Sequence, residues 1–216
     1  GIIARMVREA EQNELPLLMD TYHDYPRAIT DIILCAHDHS GLFSKVAGAM
    51  SLAGANIINA KAFTLKSGLV IDVFQVQDAT GQVFDKEEKL AKMSVYLEQT
   101  LTGEIDPAKM FARRRQTALK RVRATAPALG HVHIDNEASN ICTVIEITAR
   151  DRTGFLYDVT HTLTDLGLMI ATAHISTYGT QVADVFYVKD NFGMKVTHEA
   201  KLKQLNDALM QTLRIT

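Results

Sequence analysis

Asp38-His39-Ser40-Gly41-Leu42-Phe43 returns as Asp151-Arg152-Thr153-Gly154-Phe155-Leu156, and this recurrence decides the fold. The match runs on downstream: Val46 answers Val159, Gly54 answers Gly167, Ile57 answers Ile170, Ala60 answers Ala173 and Thr64 answers Thr177. After a one-residue gap, Asp72-Val73-Phe74 answers Asp184-Val185-Phe186, and Gly81 answers Gly193. The apolar rhythm Leu90, Met93, Leu97, Leu101 is repeated by Leu202, Leu205, Leu209, Leu213. The spacing is far longer than the ~20–50 residues of a solenoid repeat, so this is a duplicated domain.

Around that loop the elements fall into order. Ile29–Ala36 is a nearly continuous apolar run of strand length. Ser40 offers a helix cap, Leu42, Val46, Ala49, Met50 and Ala53 recur at helical spacing, and Gly54 supplies the stop. Ile57–Thr64 and Leu69–Gln77 flank the Lys66-Ser67-Gly68 turn as a hairpin, and Lys86–Leu101 reads as a second helix. In the second copy Ile141, Thr143, Ile145 and Ile147 share one strand face, and Ala171, Ala173 and Ile175 alternate with Thr172, His174 and Ser176. Half-apolar strands of this kind predict antiparallel sheets covered by helices on a single face. The order β-α-β-β-α with a closing strand is the ferredoxin-like βαββαβ arrangement, of α+β class.

The closing strands are less plain. After Lys86–Leu101 comes a further helix, Pro107–Arg123, and then Leu129–Ile134, which is expected to close the first copy. In the second copy only Arg214-Ile215-Thr216 follows the last helix, so its sheet is either open at that edge or completed by another segment. The expected division is a lead-in over 1–28, a first domain over 29–135 with an inserted basic helix, and a second over 136–216. Within the lead-in, a helical stretch reaches Glu14, Pro16 breaks it, and a polar segment runs to Tyr25-Pro26. A pairing of the two copies into one continuous sheet would relieve the edges that each small domain exposes.

Composition narrows the function. A net charge of −2 argues against general affinity for nucleic acid or an anionic membrane. No apolar run approaches the ~18 residues of a membrane-spanning helix. Cys35 and Cys142 are single residues in apolar strand-like segments and read as buried, reduced thiols, consistent with a cytoplasmic protein. The first residue is Gly, which suggests a piece of a longer chain.

In both copies the Asp-x-(Ser/Thr)-Gly loop lies between a strand and a helix N-terminus. The first turn of a helix has unpaired N–H groups and a partial positive charge, and glycine lets a carboxylate approach the backbone. Asp38 and Asp151 either accept from a ligand's ammonium group or cap the helix. The loop together with the Gly-(Ala/Leu)-x-Ile exit of the following helix resembles the ACT domain, an amino-acid-sensing module. A more specific resemblance is carried by Ile134–Ser139, Thr143–Ile147, Asp151–Asp158, Ala173–Gly179 and Asp184–Val188, and more loosely by Ala36–Phe43. These segments resemble the C-terminal tandem ACT region of the bifunctional PII uridylyltransferase/uridylyl-removing (GlnD) family.

That resemblance implies two ferredoxin-like ACT domains that sense glutamine for catalytic domains upstream in the same chain. Those domains modify and demodify the PII signal protein, and the family's nucleotidyl transfer uses magnesium. The nucleotidyltransferase and hydrolase signatures are absent from these residues, so no catalysis and no cofactor are expected of this piece itself. By the same resemblance, Asp38, His39, Ser40, Gly41, Leu42 and Phe43 line one pocket with Asn56 and Ile57. Asp151, Arg152, Thr153, Gly154, Phe155 and Leu156 line another with Met169 and Ile170. Met169 stands where the first copy has Asn56 and cannot donate a hydrogen bond, so the first pocket is expected to be the more polar. A bulkier residue at Gly41 or Gly154 is expected to block the backbone approach, weaken binding and leave the fold largely intact.

Other signals carry less. His37-Asp38 spells an HD dyad, and His37-x-His39 and His131-x-His133 have the spacing of strand metal ligands, but the rest of a metal hydrolase is missing. Lys109, Arg113, Arg114, Arg115, Lys120, Arg121 and Arg123 form a basic run with Phe111, Ala118 and Val122 as its apolar stripe. It reads as a solvated face or as a docking surface. An RNA-binding protein of the same fold is the alternative of another class. It calls for aromatic and basic residues on the central strands, where Leu69–Phe74 offers an acid and aliphatics.

Overall fold

The computed structural model describes residues 2–13, 17–37, 39, 41–65, 67–119 and 130–214. The first copy contains β1 (Leu17–Asp24), β2 (Ile29–His37), α2 (Leu42–Ala53), β3 (Asn56–Thr64), β4 (Leu69–Gln77) and α3 (Glu87–Leu101), preceded by α1 (Ile2–Asn13). A bridging helix α4 (Pro107–Leu119) leads toward the second copy. That copy contains β5 (His131–Asp135), β6 (Thr143–Arg150), α5 (Phe155–Asp165), β7 (Leu168–His174), the short β8 (Thr177–Tyr178), β9 (Gln181–Asp190) and α6 (Glu199–Leu213).

Both copies are ferredoxin-like, and they share one antiparallel sheet in the order β1-β2-β4-β3-β7-β9-β6-β5. The closing strand of each unit stands first in its chain segment instead of last. Leu17–Asp24 pairs along β2, and His131–Asp135 pairs along β6. The domain division expected at 135/136 is therefore corrected: 131–135 belongs to the second copy, and part of the lead-in belongs to the first. Leu129 lies outside the described residues. The physical reason is hairpin geometry: a strand just ahead of β6 reaches its free edge through a short connection, whereas the first copy's edge is already taken by β1.

The seam between the copies is β3 against β7, with Asn59 opposite His174, Ala60 opposite Ala173 and Lys61 opposite Thr172. Ala60 and Ala173 are equivalent in the repeat, so a pseudo-two-fold axis passes between them. Each of these strands also carries a register irregularity at the equivalent place, between Ile57 and Asn59 and between Ile170 and Thr172. Ile175 N–H donates to the Ile58 carbonyl at 3.1 Å and extends the seam.

Strand alternation sends Ile32, Leu34, Phe74, Ile145, Ile147 and Phe186 into one continuous core under the helices. α2 and α5 cross the seam above it, antiparallel and close: a Cβ on Gly48 would come 2.7 Å from Tyr157. α1 lies on the opposite face, where Met6 and Ala10 meet Ile33, Cys35, Leu69 and Ile71. Cys35 and Cys142 are both buried, free thiols. Turn chemistry repeats too. Asp78 accepts from the N–H groups of Thr80 and Gln82, as Asp190 does from those of Phe192 and Met194. Among the described residues, no helix is long and apolar enough to cross a membrane.

Candidate functional site

The second loop opens onto a cavity of about 110 Å³ between the two copies. That is several times the ~10–15 Å³ one water needs. From the second copy it is lined by Asp151, Arg152, Gly154, Phe155, Leu156, Ile175, Thr177, Val182 and Asp184; from the first, by Ser51, Ala55, Asn56 and Ile57. The grouping expected from the sequence is corrected here. Asn56 and Ile57 face the loop of the other copy, because the β3–β7 seam brings the end of α2 against the start of α5. The polar junction therefore serves the second loop. Met169 is 40% exposed and does not line this cavity.

α5 starts behind Gly154, held at φ 79° with no side chain capping the helix, and α2 starts the same way behind Gly41 at φ 80°. Both N-cap positions are thus held by glycines, which carry no side chain to cap the helix. Asp151 N–H donates to the Thr180 carbonyl at 2.9 Å, which ties the loop to the β8–β9 turn. Arg152 swings away from the loop. It pairs with Asp158, donates to the Thr212 carbonyl at 3.2 Å and lies 5.5 Å from the Phe155 ring centroid. Thr153 offers its carbonyl to Arg115 at 3.2 Å.

At the cavity lies Asp184, a residue that pattern reading passed over. It is 1% exposed; its Oδ1 accepts from the Ser176 N–H at 3.1 Å, and its Oδ2 is buried without a hydrogen-bond partner. Loss of hydration, followed by the charge of Asp151, pushes its carboxyl up to about 7 against the lowering effect of the Ser176 N–H. Asp151 is likewise raised by desolvation, against the lowering by Arg152. The signal was legible: Val182, Asp184, Phe186 and Val188 share the core-facing phase of β9, and Asp72 repeats the position in β4.

The first loop is different ground. Asp38 and Ser40 lie outside the described residues. His39 is exposed, Leu42 is buried, the Phe43 ring lies tilted 5.1 Å from that of Phe74, and the Cβ position of Gly41 is 3.6 Å from Thr164 of the second copy. Asp72 faces a crevice lined by Leu17, Leu34, Ala36, Leu42, Val46 and Val70, which has no room for a water-sized group.

α4 is a strap more than a solvated face. Phe111 is buried against Leu52 and Tyr157, its ring 5.6 Å from that of Tyr157. Arg114 donates to the Leu52 carbonyl at 3.0 Å, and Arg115 pairs with Asp158 at 3.1 Å. Lys109 and Arg113 remain exposed, and Lys120, Arg121, Val122 and Arg123 lie outside the described residues. Burial, then the charges of Asp106, Asp158 and Asp165, push the Tyr157 phenol up to about 12. The strap also alters the role of Gly154, whose added Cβ would sit 2.6 Å from the Phe111 ring. A substitution there strikes packing as well as the loop, contrary to the expectation that the fold is spared.

Among the described residues, no three His, Cys, Asp or Glu side chains gather closely enough to hold a metal ion. His131 and His133 are exposed on the edge strand, and His174 lies on the open sheet face, edge-on to Tyr187 at 5.9 Å.

The comparisons with known proteins agree with this architecture. Residues 138–215 match the family model for the ACR family N-terminal ACT domain. Over 99% of its length the chain is 48% identical to a bifunctional uridylyltransferase/uridylyl-removing enzyme of Azospirillum brasilense. It is 45% identical over 95% to one of Rhodospirillum rubrum, and 38% identical over 97% to one of Gluconobacter oxydans. The chain spans 22–23% of the length of these relatives. The crystal structure of an unknown protein from Galdieria sulphuraria aligns with 89% of this chain and 92% of its own, at 13% identity and a TM-score of 0.26, too low to bear on the fold.

Proposed function

We propose that this chain, which aligns along nearly its whole length with bifunctional uridylyltransferase/uridylyl-removing enzymes and carries an ACT domain at 138–215, is the glutamine-sensing module of such an enzyme. The cavity between the copies carries the reading. A free amino acid needs N–H donors for its carboxylate, acceptors for its ammonium and polar partners for its side-chain amide. The uncapped start of α5 at Gly154, the carboxyl groups of Asp151 and Asp184, and the amide of Asn56 supply those types around one space. A sensor must also release its ligand, so a millimolar constant, about −4 kcal/mol, suffices.

In this reading the catalytic domains lie upstream in the same cytoplasmic chain, with the magnesium of nucleotidyl transfer, and act on the PII signal protein. The module itself carries out no chemistry. Because the cavity is walled by both copies, a ligand that binds one relative arrangement of the copies better shifts the population toward it, and the coupling in binding free energy is reciprocal. For the alternative, an RNA-binding role, the open sheet face offers Glu146 and Thr148 beside His174 where base stacking calls for aromatic and basic groups.

Titration calorimetry of the chain with glutamine, glutamate and serine tests the proposal. Glutamine is expected to bind once per chain in the millimolar range and more tightly than the other two. No heat with glutamine, or equal affinity for all three, overturns it.

A further inference from the structure

We propose that Asp184 is the counter-ion of the ligand: its unpartnered Oδ2 accepts from an α-ammonium group seated in the cavity between the copies, while the N-terminus of α5 at Gly154 takes the carboxylate. The assignment rests on the reading of this cavity as an amino-acid pocket and adds the group that selects for an amine.

Three observations converge on it. Asp184 is a carboxyl group fully removed from solvent, placed on the core-facing phase of β9 where its neighbours Val182 and Phe186 are apolar. One of its oxygens is fixed by the Ser176 N–H, and the other is buried with no protein donor, in a residue that belongs to the wall of the cavity. Groups left in this condition normally find a partner, and a cation is the partner a carboxylate takes best. The buried acid recurs as Asp72 in β4, but the crevice there has no room for a water-sized group, so among the described residues the open space distinguishes the second copy.

The charged surroundings point the same way. Asp151 at the mouth is a second acid, and the cation of the loop, Arg152, is spent on Asp158 and the Thr212 carbonyl. The cavity thus presents two carboxyl groups and no uncommitted cation among the residues that line it. Without ligand, Asp184 holds a proton up to about pH 7. An incoming ammonium requires the ionised form, so binding below that pH releases the Asp184 proton to the buffer. Affinity for the amino acid therefore rises between pH 6 and pH 8.

The test is calorimetry on the 216-residue chain, as wild type and Asp184→Asn, with glutamine and with its α-hydroxy analogue, which lacks the ammonium. Runs at pH 6.5 in two buffers of different ionisation enthalpy count the protons released. Expected are a loss of glutamine affinity of at least tenfold in D184N, proton release in wild type alone, and analogue binding that D184N does not weaken. The isosteric amide keeps an acceptor for Ser176 N–H, so D184N is expected to melt no lower than wild type at pH 8. Unchanged glutamine affinity in D184N, or no proton release by wild type, overturns the counter-ion and leaves the amino-acid pocket standing. A lower melting temperature for D184N makes Asp184 a residue of the fold and also overturns it. No glutamine heat in wild type removes the underlying reading, and this assignment with it.

Discussion

Asp184 ties stability to pH. Its carboxyl ionises near pH 7 in the folded chain, against an ordinary value of 3.8. Between those values the folded state holds a proton that the unfolded state has lost, so stability falls as pH rises through that window. The stabilising effect of the neutral form is fully present below about pH 4 and gone above about pH 7. A shift of this size corresponds to roughly 4 kcal/mol at most. D184N should therefore gain about 2–3 kcal/mol on wild type between pH 5 and pH 8. Urea unfolding at both pH values checks this, since the difference between the two proteins cancels the other titrating groups. Equal pH dependence in the two would contradict it.

Helix α4 makes the two loops unequal at the scale of elements. Gly41 and Gly154 share a left-handed backbone, and an L side chain at either costs about 1–2 kcal/mol. Around Gly41 an added Cβ meets only ordinary contacts, 3.6 Å from Ser44 and Thr164. At Gly154 it runs into the Cβ, Cγ and Cδ2 of Phe111, all within 2.9 Å, near the root of a buried side chain that cannot swing clear. Overpacking adds about 1–3 kcal/mol. Gly154→Ala is therefore expected to destabilise by about 2–5 kcal/mol and Gly41→Ala by about 1–2. Chemical denaturation of both variants is the measurement, and a double variant with Phe111→Ala should recover part of the Gly154→Ala loss. Equal losses at the two glycines would show that α4 does not press on the loop.

The whole molecule is organised by its seam. Because β3 and β7 pair about equivalent alanines, the edge of either copy is self-complementary in shape. Residues 130–216 alone would expose the β7 edge together with the face of α5 that α2 covers, and a domain of this size is marginal by itself. The expected product is a homodimer in which a second β7 takes the place of β3. Light scattering after size-exclusion chromatography gives the answer, and a stable monomer would show that the seam is dispensable. Such a dimer would lack Asn56, with Met169 at the equivalent position, so it is also expected to bind glutamine more weakly than the full chain.

The sequence by itself determined the duplication, the strand and helix phases, and the position of both glycine loops, because each depends on local spacing within one copy. It also carried a sign of Asp184, an acid on the apolar phase of a strand and matched by Asp72. Tertiary structure alone decided which junction faces which loop, which copy owns His131–Asp135, and why Gly154 is packed while Gly41 is open. Periodicity tells which face of an element is buried. It does not tell what lies across a seam, and here the seam exchanges partners: it carries Asn56 over to the loop of the other copy and joins donors and acceptors that stand about 100 residues apart in the chain.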